Sequence, residues 1–192
     1  LQVLGSCIPD AVGPVVLATE LGQPLDTVQL LQFSWEERLK LAVGVAQVLH
    51  HLAHSRLGSL AMADLRRQQF VLVDGRLKLS DVDDISISEP PCRTHSDCTP
   101  QHILDPYNTT RGDPLHCVRG VCEGHNERHN ILKAGEHLMK HLLAGPAPQA
   151  LEPHLSQLAE AYSGRGRPAP PGTETILALS KELLARYKGH AL

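Results

Sequence analysis

Apolar residues recur at helical spacing from Trp35 onward. Trp35, Leu39, Ala42, Val43, Ala46, Leu49 and Ala53 form one stripe, and Leu41, Val45, Val48 and Leu52 form a second beside it. Apolar positions around most of the circumference predict a helix buried on several sides, not a surface helix. Ser34 followed by Glu37 supplies a capping box, in which the hydroxyl takes the N–H of Glu37 and that carboxylate reaches back to Ser34. The pattern places the helix over residues 35–54, with Gly58 beyond its end. The period then changes. Phe70-Val71-Leu72-Val73 is a β run, and Arg76-Leu77-Lys78-Leu79-Ser80 alternates. Asp74-Gly75 between them is a preferred hairpin turn, because both central residues of a type I′ turn need positive φ. Upstream, Val15-Val16-Leu17-Ala18-Thr19 reads as a short buried strand ended by Gly22 and Pro24, then a short helix or turn over residues 25–31.

Helical spacing returns downstream. Ile131, Gly135, Leu138 and Leu142 mark a helix over residues 127–144, stopped by Gly145 and Pro146. A second covers 151–162, residues 163–172 read as a mobile linker, and a last helix over 173–187 carries Ile176, Leu179, Leu183 and Leu184. There is no internal repeat.

Composition sharpens this outline. The 192 residues are 42% hydrophobic but only 3% aromatic, so aliphatic side chains fill the core of what is long enough to be one domain. Eighteen basic against 21 acidic residues give a net charge of −3, which argues against a nucleic-acid partner. No apolar stretch approaches the ~18 residues of a membrane span. The chain begins at Leu1 without a charged-then-apolar leader, so a processed chain or a fragment is expected.

Five cysteines stand at positions 7, 92, 98, 117 and 122, four of them in a proline-rich, apolar-poor stretch. Such a segment cannot order itself by burial, and disulfides among Cys92, Cys98, Cys117 and Cys122 are the natural staple. Four cysteines allow three pairings, and spacing does not choose among them. The rival is zinc, for which Cys92-x5-Cys98 and Cys117-x4-Cys122 are looser than the usual C-x2-C pairs. Cys7 has no local mate; it is either a buried thiol or the partner of a cysteine in an absent lobe. Disulfides imply a secretory compartment, and Asn108-Thr109-Thr110 is a glycosylation acceptor that agrees with it. His125/His129 and His137/His141 sit four apart on a helix, a spacing that also suits a metal, although surface histidines are commoner.

Candidate chemistry lies around the 70–80 hairpin. Asp64 precedes it and Asp81 follows it, so folding the chain back can bring both carboxylates to one end. Taken alone, both could simply cap turns. Asp64-Leu65-Arg66-Arg67-Gln68-Gln69, the hairpin, and Asp81-Val82-Asp83 together resemble the catalytic and metal-binding loops of a protein kinase. In that pattern an Asp accepts the substrate hydroxyl's proton and an Asn five positions on holds a metal. The resemblance implies the first role for Asp64 and the second for Gln69, gives Asp81 the other metal, and sets Arg66 toward the γ-phosphate. Residues 15–22 resemble the fifth strand and hinge, implying that Glu20, Leu21 and Gly22 meet the adenine. The strings Ser34-Trp35-Glu36-Glu37-Arg38, Leu49-His50-His51-Leu52-Ala53-His54-Ser55, Gln69-Phe70-Val71-Leu72-Val73-Asp74-Gly75 and Cys117-Val118-Arg119-Gly120-Val121-Cys122-Glu123-Gly124 resemble the secreted kinase family of the vertebrate lonesome kinase.

The resemblance implies an α+β, protein kinase-like C-lobe, mainly helical, with a small β-hairpin and a disulfide-rich insertion. It implies ATP with Mg or Mn as cofactors, transfer to tyrosine on secreted proteins, and a location in the secretory pathway (Golgi or ER lumen) and outside the cell. The expected layout is a strand-and-hinge remnant (1–33), the catalytic core (34–91), the cysteine-rich segment (92–125) and C-terminal helices (126–192). Departures from the kinase pattern are specific. There is no G-x-G-x-x-G and the first lysine is Lys40, so the N-terminal lobe is expected to be missing and to be a partner of this chain. Met62-Ala63 replaces His-Arg, which removes the usual arginine partner of a phosphorylated activation loop. Gln69 replaces Asn yet keeps a hard amide oxygen. Asp83 replaces the glycine of D-F-G, and no A-P-E follows. These changes keep open a catalytically inactive pseudokinase, or a disulfide-stapled module that binds partners.

Overall fold

The computed structural model describes residues 1–9, 13–98, 115–163 and 170–190. Asn108 and its sequon, and most of the 163–172 linker, lie outside the described residues. The chain opens with β1 (Val3–Cys7), antiparallel to β2 (Val16–Thr19), and then β3 (Gln23–Pro24), α1 (Thr27–Gln32) and α2 (Trp35–Ala53). The strands β4 (Ala61–Met62), β5 (Phe70–Val73), β6 (Arg76–Leu79) and β7 (Ile85–Ser86) follow, with β8 (Cys117–Val118) and β9 (Val121–Cys122) beyond them. Helix α3 (His125–Ala134) runs through a π-helical segment (Gly135–Met139) into α4 (Lys140–Leu142), and α5 (Glu152–Tyr162) and α6 (Thr173–His190) complete the helical part.

Helix α2 is the hub. Its capping box is formed: Ser34 Oγ accepts the N–H of Glu37, and Glu37 Oε2 accepts the Ser34 N–H at 2.8 Å. Leu39, Leu41, Ala42, Val45, Ala46, Leu49 and Leu52 are all buried. Full burial of each leucine is worth about 1.5–3 kcal/mol. Around α2, one core joins Leu25 and Leu30 to Phe70, Leu138, Leu158, Ile176 and Leu183, so helices distant in sequence share a single interior. Strand β6 lies against α2 at Gly44, where a Cβ would meet Leu77 Cβ at 2.9 Å.

The hairpin forms in the expected register, with Phe70 opposite Leu79 and Val73 opposite Arg76. Its turn has positive φ at both Asp74 (51°) and Gly75 (71°), the geometry that favours Asp-Gly there. Strand β3 pairs with β5 on the other side, giving the order β3-β5-β6.

Three expectations need correction. The strand near Val15 is not buried: Val15, Val16 and Leu17 are 63%, 56% and 57% exposed. It pairs with β1, and among the described residues no second layer covers the pair. Cys7, at the end of β1, is a free and exposed thiol rather than a buried one. The helix expected over 127–144 starts two residues earlier and passes through a π-helical segment. That segment begins at Gly135, where a Cβ would lie 2.6 Å from the Tyr162 carbonyl, so the end of α5 crosses very close there.

Candidate active site

The site is assembled by two short strand pairings. The β5–β6 hairpin reverses the chain, and β7 returns to lie antiparallel to β4, with Met62 opposite Ile85. Asp64 follows β4 and Asp84 precedes β7, so the 61–69 and 80–86 segments run side by side. Ser80 fixes the start of the second segment: its N–H and its hydroxyl both donate to the Gln69 carbonyl, at 2.8 and 3.0 Å.

Within the first segment Leu65 is fully buried, which turns its neighbours Asp64 and Arg66 outward. The Gln69 side chain is largely buried, and its Nε2 donates to Asp64 Oδ2 at 3.1 Å. Arg66 Nε pairs with the other oxygen of Asp64. The Asp64 backbone N–H donates to Asp84 Oδ2. Asp64, Arg66, Gln69 and Asp84 therefore form one contact group. Asp84 was not singled out in the sequence. The acidic run Asp81-Val82-Asp83-Asp84 was visible, but which carboxylate turns toward Asp64 depends on the β4–β7 register.

Asp81 is exposed, and its Oδ1 accepts the Asp83 N–H at 3.4 Å. Repulsion from the Asp81 carboxylate, and a hydrogen bond with it, hold the Asp83 carboxyl above the usual range. A loop whose carboxylates repel one another is suited to a divalent cation, which would relieve that charge. Among the described residues the acids of this loop do not converge into a group of three ligand atoms; the one such group is Cys92, Cys98 and Cys122.

The expected hinge residues Glu20, Leu21 and Gly22 are not part of this group. Glu20 Oε1 accepts from Lys78 Nζ at 2.6 Å and from the Gln2 N–H at 2.7 Å. Those partners, Lys78 first, hold its carboxyl below the usual range, so this side chain braces β6. Gly22 packs onto β5, where a Cβ would stand 2.5 Å from Val71 Cγ2. Leu21 and Gly22 line a cavity of about 600 Å³ with Gln23, Phe33, Leu41 and Leu72. That cavity does not reach Asp64, Gln69 or Asp81.

The cysteine-rich segment contains Cys92–Cys117 and Cys98–Cys122, the choice among pairings that spacing left open. These bonds use the sulfurs that zinc would need. His125 and His129 stack with ring centroids 6.2 Å apart, and His129 Nε2 lies 3.1 Å from the Met62 carbonyl, which gives it a place in supporting β4.

Comparison with known proteins gives the family. The sequence profile of the family described as the protein-kinase domain of FAM69 matches residues 1–161. The human extracellular tyrosine-protein kinase PKDCC is 40% identical over 199 aligned residues, covering 100% of this chain and 38% of that protein. The chain thus spans well under half the length of that relative. Among the described residues no helix is long and apolar enough to cross a membrane. With a family match over most of its length and 40% identity across all of it, the chain belongs to the FAM69 protein-kinase family.

Proposed function

We propose that this chain is the C-lobe portion of a secretory-pathway protein kinase that transfers the γ-phosphoryl group of ATP to tyrosine on secreted proteins. The observation that carries the reading is the Gln69–Asp64 hydrogen bond, which joins the proposed base to the proposed metal ligand five residues on. The two disulfides and the extracellular relative support the compartment. Asp64 orients the phenol and takes its proton as the phenol oxygen attacks the γ-phosphorus. The bond from that phosphorus to the bridging oxygen breaks, and ADP leaves. Arg66, which pairs with Asp64, is the cation assigned to the transferred group once it releases that carboxylate. Gln69, through its amide oxygen, and Asp81 would hold Mg or Mn, which supplies charge neutralisation at the phosphates. Residues 20–22 border the adenine through their backbone, since the Glu20 carboxylate is engaged by Lys78. The N-terminal lobe that closes over the nucleotide is supplied by the remainder of the protein.

Two substitutions in the whole secreted protein test this. Asp64→Asn should abolish transfer while sparing nucleotide binding, and Asp81→Asn should weaken metal-dependent nucleotide binding as well. Transfer at the wild-type rate by a folded Asp64→Asn protein would overturn the catalytic reading. It would favour the second one, a pseudokinase, for which the specific observation is the crowding of Asp83 against Asp81 where kinases carry glycine.

A further inference from the structure

The segment from Leu60 to Asp64 is held from two sides. On one side Asn130 of α3 accepts the Met62 N–H at 3.0 Å and donates to the Leu60 carbonyl at 2.7 Å, both buried. On the other side the partner is Asp84, whose Oδ2 accepts the backbone N–H of Asp64 itself. Asn130 belongs to a helix of the core. Asp84 belongs to the same short loop as Asp81. It is thus a direct link between the proposed metal-holding loop and the backbone of the proposed base.

The chemistry of that link is simple. What it supplies is an acceptor oxygen at a fixed reach: Asp84 Oδ2 takes the Asp64 N–H, a role that an amide oxygen can also fill. Asp84 is half-buried, and its second oxygen is covered without a hydrogen-bond partner among the described residues. The β4–β7 register explains why it is there. With Met62 opposite Ile85, the next position of the ladder sets Asp84 across from Ala63, one residue from the Asp64 N–H that its Oδ2 accepts.

We infer that Asp84 is a positioning residue for phosphoryl transfer: it fixes the backbone at Asp64 and ties that backbone to the loop bearing Asp81. The inference rests on the phosphoryl-transfer reading above. Asp84 acts through Asp64 as an acceptor, not as a metal ligand, and its effect belongs in kcat. Misplacement of a reacting group by about 1 Å can cost on the order of 100-fold.

The test uses the whole secreted protein with Mn²⁺ titrated against fixed ATP. Asp84→Asn keeps an acceptor oxygen at the same reach and loses the charge; Asp84→Glu keeps the charge and displaces the oxygen by one methylene. The expected order of kcat is wild type, then Asp84→Asn within about 3-fold, then Asp84→Glu and Asp84→Ala at least about 10-fold slower. KM for ATP and the half-saturating Mn²⁺ concentration should stay within about 2-fold throughout. Asp84→Glu faster than Asp84→Asn, or a several-fold higher Mn²⁺ requirement in Asp84→Asn, would overturn the inference by making the charge the functional feature. Wild-type kcat in a folded Asp84→Ala protein would also overturn it. Because the Asn and Glu variants are compared with each other, the result stands even if Asp84→Ala fails to fold. Asp64→Asn run alongside separates the two levels. If it remains active, the phosphoryl-transfer reading itself fails, whatever the Asp84 series shows.

Discussion

Two antiparallel hairpins built from aliphatic residues meet opposite fates. In β5–β6, Phe70 is 1% exposed and Leu72 is 9%, because the pair lies over α2. In β1–β2, Val3, Leu4, Val16 and Leu17 are each more than half exposed. The local chemistry is alike: short runs rich in valine and leucine that pair antiparallel, β1–β2 with one register shift between Val3 and Gly5. What differs is the layer beneath. A strand pattern specifies a ladder, and burial is conferred by whatever stands on the other side of it. The candidate active site hangs on the hairpin that has the layer. Its loops leave β5–β6 at the end away from the turn, where Ser80 is bonded to Gln69 and both loops start from fixed points.

The contrast can be broken at its strong end first. Leu49→Ala removes a 1%-exposed leucine from the buried face of α2 and should cost about 2–5 kcal/mol in denaturant unfolding of the domain. A loss below about 1 kcal/mol would mean that α2 is not the hub. Next come the staples. Cys98–Cys122 closes a loop with a sequence separation of 24, and removing it by the paired change to alanine should cost about 3–4 kcal/mol in the chain-entropy treatment. Alkylation of all four thiols in folded, unreduced protein would contradict the disulfides outright.

A smaller effect is expected at His125, at the start of α3. Burial, partly opposed by the Glu89 carboxylate, holds its imidazole below the usual 6.5. The native state therefore binds fewer protons here than the unfolded chain. The stabilisation is fully present above the unfolded pKa and is lost as pH falls through the folded one. Melting temperatures of wild type and His125→Gln should converge between neutral and acidic pH, and a constant gap would remove His125 as a source of acid sensitivity.

The smallest effects belong to the exposed hairpin. Val16→Ser and Leu17→Ser probe its two faces. If the rest of the protein supplies the proposed lobe, one face is covered there; that change should then cost about 1–2 kcal/mol, with the other within about 0.5. Neutrality of both would contradict the two-lobed arrangement.

Much of this was legible in the residues. Helix α2 announces itself through Ser34, Glu37 and two apolar stripes, and β5–β6 through Asp74-Gly75, because those signals are local. The family was legible for a different reason: the strings around Asp64, the hairpin and Cys117 are long enough to be specific. Strand β1 was missed, since Val3-Leu4-Gly5-Ser6-Cys7 has no alternation and owes its form to pairing with β2. The disulfide pairing was undetermined because it depends on how residues 90–92 dock on the β8–β9 pair, where the Cys92 N–H donates to the Gly120 carbonyl and the Cys122 N–H to the Pro90 carbonyl. Asp84 escaped for the same reason. Strands β4 and β7 are two residues each, too short to leave a pattern, yet their pairing decides which carboxylate meets Asp64.

The most direct measurement is transfer itself. On the proposed reading, the whole protein incubated with Mn²⁺ and ATP labelled in the γ-phosphate should place label on tyrosine of a secreted protein substrate, read by phosphoamino-acid analysis. Folded Asp64→Asn protein should leave that tyrosine at the level of the blank. Equal labelling by both proteins would contradict the assignment of Asp64, and label confined to serine or threonine would contradict the proposed acceptor.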